Sequence, residues 1–134
     1  MKALKILRYA LALGFAGFIL SVIIAANQGQ LPSTLAYFAN LPFGDTLGHF
    51  LLMGILAFLC NFAWGGKPWV WRSISLPPAT VIILIVVTLE ELSQVLIPAR
   101  TPSLLDLCAD YGGIFLLGDL GHRCSRLGQE GHKN

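Results

Sequence analysis

Four runs of almost uninterrupted apolar residues, at about 6–26, 47–64, 76–97 and 104–120, dominate the chain, with short polar stretches between them. A hydrocarbon layer of roughly 30 Å is crossed by about 20 helical residues at about 1.5 Å each, so every run is near the length of a transmembrane helix. Short connections force successive helices to reverse direction. The expected fold is therefore all-α: one polytopic membrane domain over residues 1–134, an antiparallel four-helix transmembrane bundle. Gly65, Gly66, Lys67 and Pro68 read as a turn, and Pro77 and Pro78 suit a first helical turn whose amides lack partners anyway. Trp64, Trp69 and Trp71 suit the membrane–water boundary. Gly17 with Ser21, and Ala109 with Gly113, lie four apart and could bring helices into close contact. The first run begins with basic residues like a secretory signal, but its apolar core exceeds the roughly 7 to 15 residues of such signals, so an uncleaved helix is expected.

Composition changes little in this picture: 55% of residues are hydrophobic and 12% charged, against roughly 25% charged in soluble domains. The placement of charge adds more. Lys2, Lys5 and Arg8 precede the first run, Lys67 and Arg72 separate the second from the third, and Arg123, Arg126 and Lys133 follow the fourth. Basic residues mark the cytoplasmic side, so both termini are expected there and the Lys- and Arg-free loop over 27–45 outside. Arg100 alone breaks the pattern. A net charge of +2 gives no footing for nucleic acid. Cys60, Cys108 and Cys124 match neither a zinc nor a disulfide framework, so they read as packing residues and no cofactor is expected.

An ionisable group in a membrane segment costs about 2.5 to 3.5 kcal/mol on insertion scales, and it normally faces a partner, water or a working site. Asp45 and His49 open the second helix, Glu90, Glu91 and Gln94 close the third, Asp106 and Asp110 open the fourth, and Arg100 lies in the loop between the last two. In the expected topology these positions share the external end. Spacings of three or four place Asp45 with His49, Glu91 with Gln94, Glu90 with Gln94, and Asp106 with Asp110 on common faces. Glu90 and Glu91 point about 100° apart and so serve different surroundings. Plainer roles exist for each. Asp45 could cap its helix, and Ser103 with Asp106 resembles a capping box. His49 could be an ordinary satisfied helix residue, and Arg100 a counterion or headgroup contact. Asp119, His122, Glu130 and His132 read as interfacial or solvated groups.

The same residues carry a resemblance. DTLGHF over 45–50, EELSQ over 90–94 and RTPSLLDLCADYGG over 100–113 resemble the VanZ-like family of bacterial membrane proteins. Its pattern runs DKxxHF, then ExxQ, an arginine, and an aspartate six residues later with DxxxN and a glycine beyond. The resemblance spans about half the chain and rests on Asp45, His49, Phe50, Glu91, Gln94, Arg100, Asp106 and Gly113. Thr46 stands where the family has lysine, and Asp110 where it has asparagine, so both departures lower the local positive charge. The family is named for an accessory protein of glycopeptide (teicoplanin) resistance. The resemblance implies a place in the bacterial cytoplasmic membrane and a role in the cell envelope.

The leading functional expectation is a site, near the external face, for a membrane lipid or a lipid-linked or cell-wall precursor group. Asp45, His49, Glu91, Gln94, Arg100, Asp106 and Asp110 would form it, with Arg100 against an anionic headgroup, His49 and Gln94 supplying hydrogen bonds, and Glu91 and Asp106 orienting them. A second expectation is an acid–base enzyme on a lipid-linked substrate, with His49, Glu91 and Asp106 as candidates, although no nucleophile motif such as GxSxG is present. A small proton-coupled transporter is a third, weakened by the scarcity of polar groups in the inner halves of the helices. No metal site is expected from one histidine without ligand spacing. A second copy or another membrane protein could serve as a partner.

Overall fold

The computed structural model describes residues 2–98 and 100–130, apart from the side chains of Trp71, Gln129 and Glu130; His132 and Lys133 lie outside the described residues. Five α-helices, α1 (Lys2–Asn27), α2 (Ser33–Ala39), α3 (Gly44–Trp64), α4 (Pro78–Ser93) and α5 (Leu104–Glu130), account for most of it. A small antiparallel hairpin, β1 (Trp69–Trp71) and β2 (Ile74–Leu76), precedes α4, and a 3-10 turn over Gln94–Leu96 follows it.

Three stretches, Lys2–Asn27, Gly44–Trp64 and Pro78–Leu96, are long and apolar enough to cross a membrane. Only 17%, 28% and 33% of their most apolar windows are buried inside the protein. Large side chains such as Leu13, Leu20, Ile85 and Leu89 point outward instead, an arrangement that water would penalise and lipid would not. The fourth expected span is long enough as α5, but Asp106, Asp110 and Asp119 interrupt its apolar part, and it is not among the three.

α3 is the central element, touching α1, α2, α4 and α5, and the core around it comprises Ile19, Met53, Ala57, Ile83, Val87 and Ile114. Its most extensive contact is with α5. The order of contacts, Thr46 with Asp106, His49 with Asp110, Phe50 with Gly113 and Phe58 with Gly121, shows that α3 and α5 run parallel. Glycines make this approach feasible. A Cβ at Gly113 would overlap the Phe50 carbonyl, and one at Gly121 the Phe58 carbonyl, so the two backbones touch where any side chain would hold them apart. Gly118 leaves room for Asn61, whose Nδ2 donates to Thr80 Oγ1 at 2.8 Å and ties α3 to α4. At the same end the Arg8 guanidinium lies 4.0 Å from the centre of the Phe62 ring, joining α1 to α3.

Several expectations are corrected. The fold is mostly but not purely α-helical: beyond the irregular Gly65–Pro68 segment, Trp69 to Leu76 forms a hairpin that the apolar pattern did not show, because its β-branched and aromatic residues favour strands and Arg72, at φ 54, adopts the left-handed geometry of a tight hairpin. Trp64 and Trp69 are exposed as the boundary role requires. The loop over 27–45 contains α2, which Pro32 initiates with φ −52 and ψ 140. Gly17 and Ser21 are exposed, Gly17 has open space about it, and the Ser21 hydroxyl donates to its own helix at Phe18. The α1 interface uses Ala12, Ile19 and Ala26 in their place. His122, read from the sequence as an interfacial or solvated group, is buried with Ser125, because α5 continues to Glu130 and carries its inward stripe through Gly118, Gly121, His122 and Ser125.

Candidate functional site at the polar end of the bundle

The first turns of α3 and α5 and the last turn of α4 meet at one end of the molecule, and their polar side chains interlock in two networks. The first joins α3 to α5. Thr46 Oγ1 donates to Asp106 Oδ1 at 2.7 Å, and one turn deeper His49 Nδ1 lies 3.1 and 3.2 Å from the two carboxylate oxygens of Asp110. Asp110 has no exposure and Asp106 is half-buried. Both departures from the VanZ-like pattern thus sit in this network, each pairing with a residue the pattern contains.

The second network closes the chain between α4 and α5. Glu91, 4% exposed, accepts the Ser103 backbone N–H at 2.6 Å and the Gln94 amide at 3.0 Å. Gln94, 2% exposed, also donates to Glu90 at 3.1 Å, while its Oε1 accepts from Arg100 Nε at 3.4 Å. A buried carboxylate is costly unless hydrogen-bonded, and here every contact is a side-chain or backbone donor. The Ser103 hydroxyl accepts the Asp106 backbone N–H at 3.3 Å, which is one half of the expected capping box. The other half is missing because Asp106 turns to Thr46.

Between these networks and α1 and α2 lies a cavity of about 130 Å³. Its polar members are Asp45, His49, Glu90 and Arg100. Its remaining lining is apolar apart from backbone and includes Ile19, Ile23 and Ala26 of α1, Leu35 and Phe38 of α2, and Leu52 and Met53 of α3. Gly44 and Gly48 keep one wall low. The seven residues singled out from the sequence therefore divide. Asp45, His49 and Arg100 face the cavity, whereas Glu91, Gln94, Asp106 and Asp110 brace the residues that do. Glu90 was assigned a separate environment but no place in the site, and it lines the cavity. Its signal was its spacing of four from Gln94.

Asp45, His49 and Asp106 also bring one donor atom each within 4.8 Å of one another, close enough to hold a cation. Spacing along the chain does not reveal this set, since Asp106 arrives from another helix. Asp110 against Nδ1 would leave His49 Nε2 as the ring's ligand atom, the arrangement that second-shell carboxylates impose on metal-binding histidines.

No protein-family model, curated protein or solved structure matches the chain.

Proposed function

We propose that this chain is a VanZ-like protein of the bacterial cytoplasmic membrane whose polar end binds the headgroup of a lipid-linked envelope precursor at the extracytoplasmic face. α5 supplies the fourth span, and both termini are cytoplasmic. The basic residues at the opposite end support that orientation: Lys2, Lys5, Arg8, Lys67, Arg72, Arg123 and Arg126 all lie in the first turns of α1, in or beside the hairpin, or late in α5.

The observation that carries the binding reading is the composition of the cavity, four ionisable groups against walls of aliphatic and aromatic side chains. Such a site suits an amphiphile. Arg100 meets a phosphate or carboxylate, and Gln94 holds its guanidinium in place. Asp45 and Glu90 would repel a bare anion, so the group must also present donors, as the hydroxyls or amines of a phosphate-linked sugar or peptide do. A cell-wall precursor of that kind would connect the protein to glycopeptide (teicoplanin) susceptibility. Titration of the purified protein with a labelled prenyl-phosphate sugar tests the reading. Saturable binding that Arg100→Ala weakens about tenfold or more supports it, and equal binding by the two proteins rules it out.

The His49–Asp110 pair favours one second reading, an enzyme in which Asp110 orients an imidazole that moves a proton on the bound lipid. Turnover lost in His49→Ala, with binding retained, would raise it above simple recognition. Retained turnover in that variant would remove it.

A further inference from the structure

The polar cavity does not end at its apolar walls. α1 and α4 flank α3 and leave a second hollow of about 330 Å³ between them, apolar but for Glu90 at one end, with Met53, Leu56 and Cys60 of α3 as its floor. Leu20 of α1, 57% exposed, and Val86 of α4, 59% exposed, form its lips, so it opens sideways. The two hollows share Ile19, Ile23, Met53 and Glu90. They therefore adjoin along these four residues, one hollow carrying polar groups at the end where α5 begins and the other apolar down to Cys60. Glu90 marks the transition, since its neighbours are aliphatic on one side and Arg100 and His49 on the other.

We propose that the groove between α1 and α4 seats the hydrocarbon chain of the lipid whose headgroup occupies the polar cavity, and that the ligand enters sideways from the bilayer. This rests on the headgroup reading above and adds that the ligand is a single-molecule amphiphile bound along the membrane normal. The shared wall of the two hollows, polar groups on one side and an apolar groove on the other, selects such an occupant. A soluble sugar or peptide would leave the apolar limb empty, and a helix from another protein would not reach past Glu90 to Arg100. Lipid tails are as apolar as the groove, so the groove supplies placement and discrimination between chain shapes, with little affinity of its own.

The test is photocrosslinking of the full chain in vesicles of phosphatidylethanolamine and phosphatidylglycerol. The probe is a lipid phosphate carrying a diazirine midway along its chain, and mass spectrometry locates the adducts. The expected result is enrichment on Leu56, Cys60 and Val86 over the outward residues Leu13 and Ile85, lost when Ala16→Trp fills the wall of the groove. Adducts spread evenly over the outward faces of the wild-type protein would overturn the proposal whether or not the variant folds. Arg100→Ala separates the two layers of the argument. Groove adducts lost in that variant support both. Groove adducts unchanged in that variant support the chain seat and contradict the headgroup role of Arg100, while Arg100-dependent headgroup binding without groove enrichment overturns the chain seat alone.

Discussion

His49 Nδ1 stands 3.1 Å from Asp110 Oδ1, an imidazole at the rim of the cavity held by a carboxylate with no exposure on a helix 61 residues further along the chain. Removing one member of such a buried pair strands the other. Asp110→Ala should lower stability by about 3 kcal/mol or more, seen as earlier thermal loss of helical circular dichroism in detergent. Asp110→Asn keeps an acceptor for the ring and should stay within about 1 kcal/mol of the parent. Equal losses in both variants would show that the charge, and not the hydrogen bond, secures α3 to α5.

Glu91 accepts from Ser103 and from Gln94 with its two oxygens. Glu91→Gln places an amide NH2 against one of those donors, whichever way it flips, at a cost of about 1 to 3 kcal/mol. Amide hydrogen exchange over the start of α5 should quicken, and headgroup binding should weaken because Arg100 and Asp106 lose their bracing. Unchanged exchange there would assign Glu91 a direct role in contacting ligand.

The contact between α3 and α5 depends on bare backbone. Gly113→Ala and Gly121→Ala would each drive a methyl into a carbonyl of the facing helix, and each should cost about 1 to 3 kcal/mol through displaced backbone. Gly17→Ala, with open space around it, should leave the melting curve unchanged. A melting point equally lowered at Gly17 would mean that α1 has a partner on its outward face.

At the opposite end, Thr80→Val removes the hydroxyl that accepts from the Asn61 amide nitrogen without changing volume much. Interhelical hydrogen bonds in membrane proteins average about 0.6 kcal/mol, so a small loss is expected, well below that of Asp110→Ala. A loss as large as the aspartate's would place the organising contact at this end of the bundle.

Much of this architecture was legible because apolar length is a one-dimensional signal. The starts and ends of α1, α3 and α4 fall within a few residues of the apolar runs, and the three-or-four spacing correctly placed Glu90 and Glu91 beside Gln94. What the spacing hides is contact between helices. Nothing along the chain shows that Thr46 meets Asp106, that Asp110 meets His49, or that Glu91 reaches across to the backbone of Ser103. The small-residue argument succeeded at Gly113 and failed at Gly17, since glycine four from a small residue marks a helix able to pack closely without saying whether a neighbour is there. His122 was misplaced for a related reason. The apolar run stops near residue 120, but the buried stripe of α5 continues on small and polar residues that hydropathy does not register.

The most direct measurement is a native mass spectrum of the protein released from membranes in mild detergent, taken for the parent and for Arg100→Ala. The account predicts a retained prenyl-phosphate lipid carrying a sugar or peptide, distinct in mass from bulk phospholipid, in the parent and its loss from the variant. A parent that carries only bulk phospholipid, in the same proportions as the variant, would contradict it.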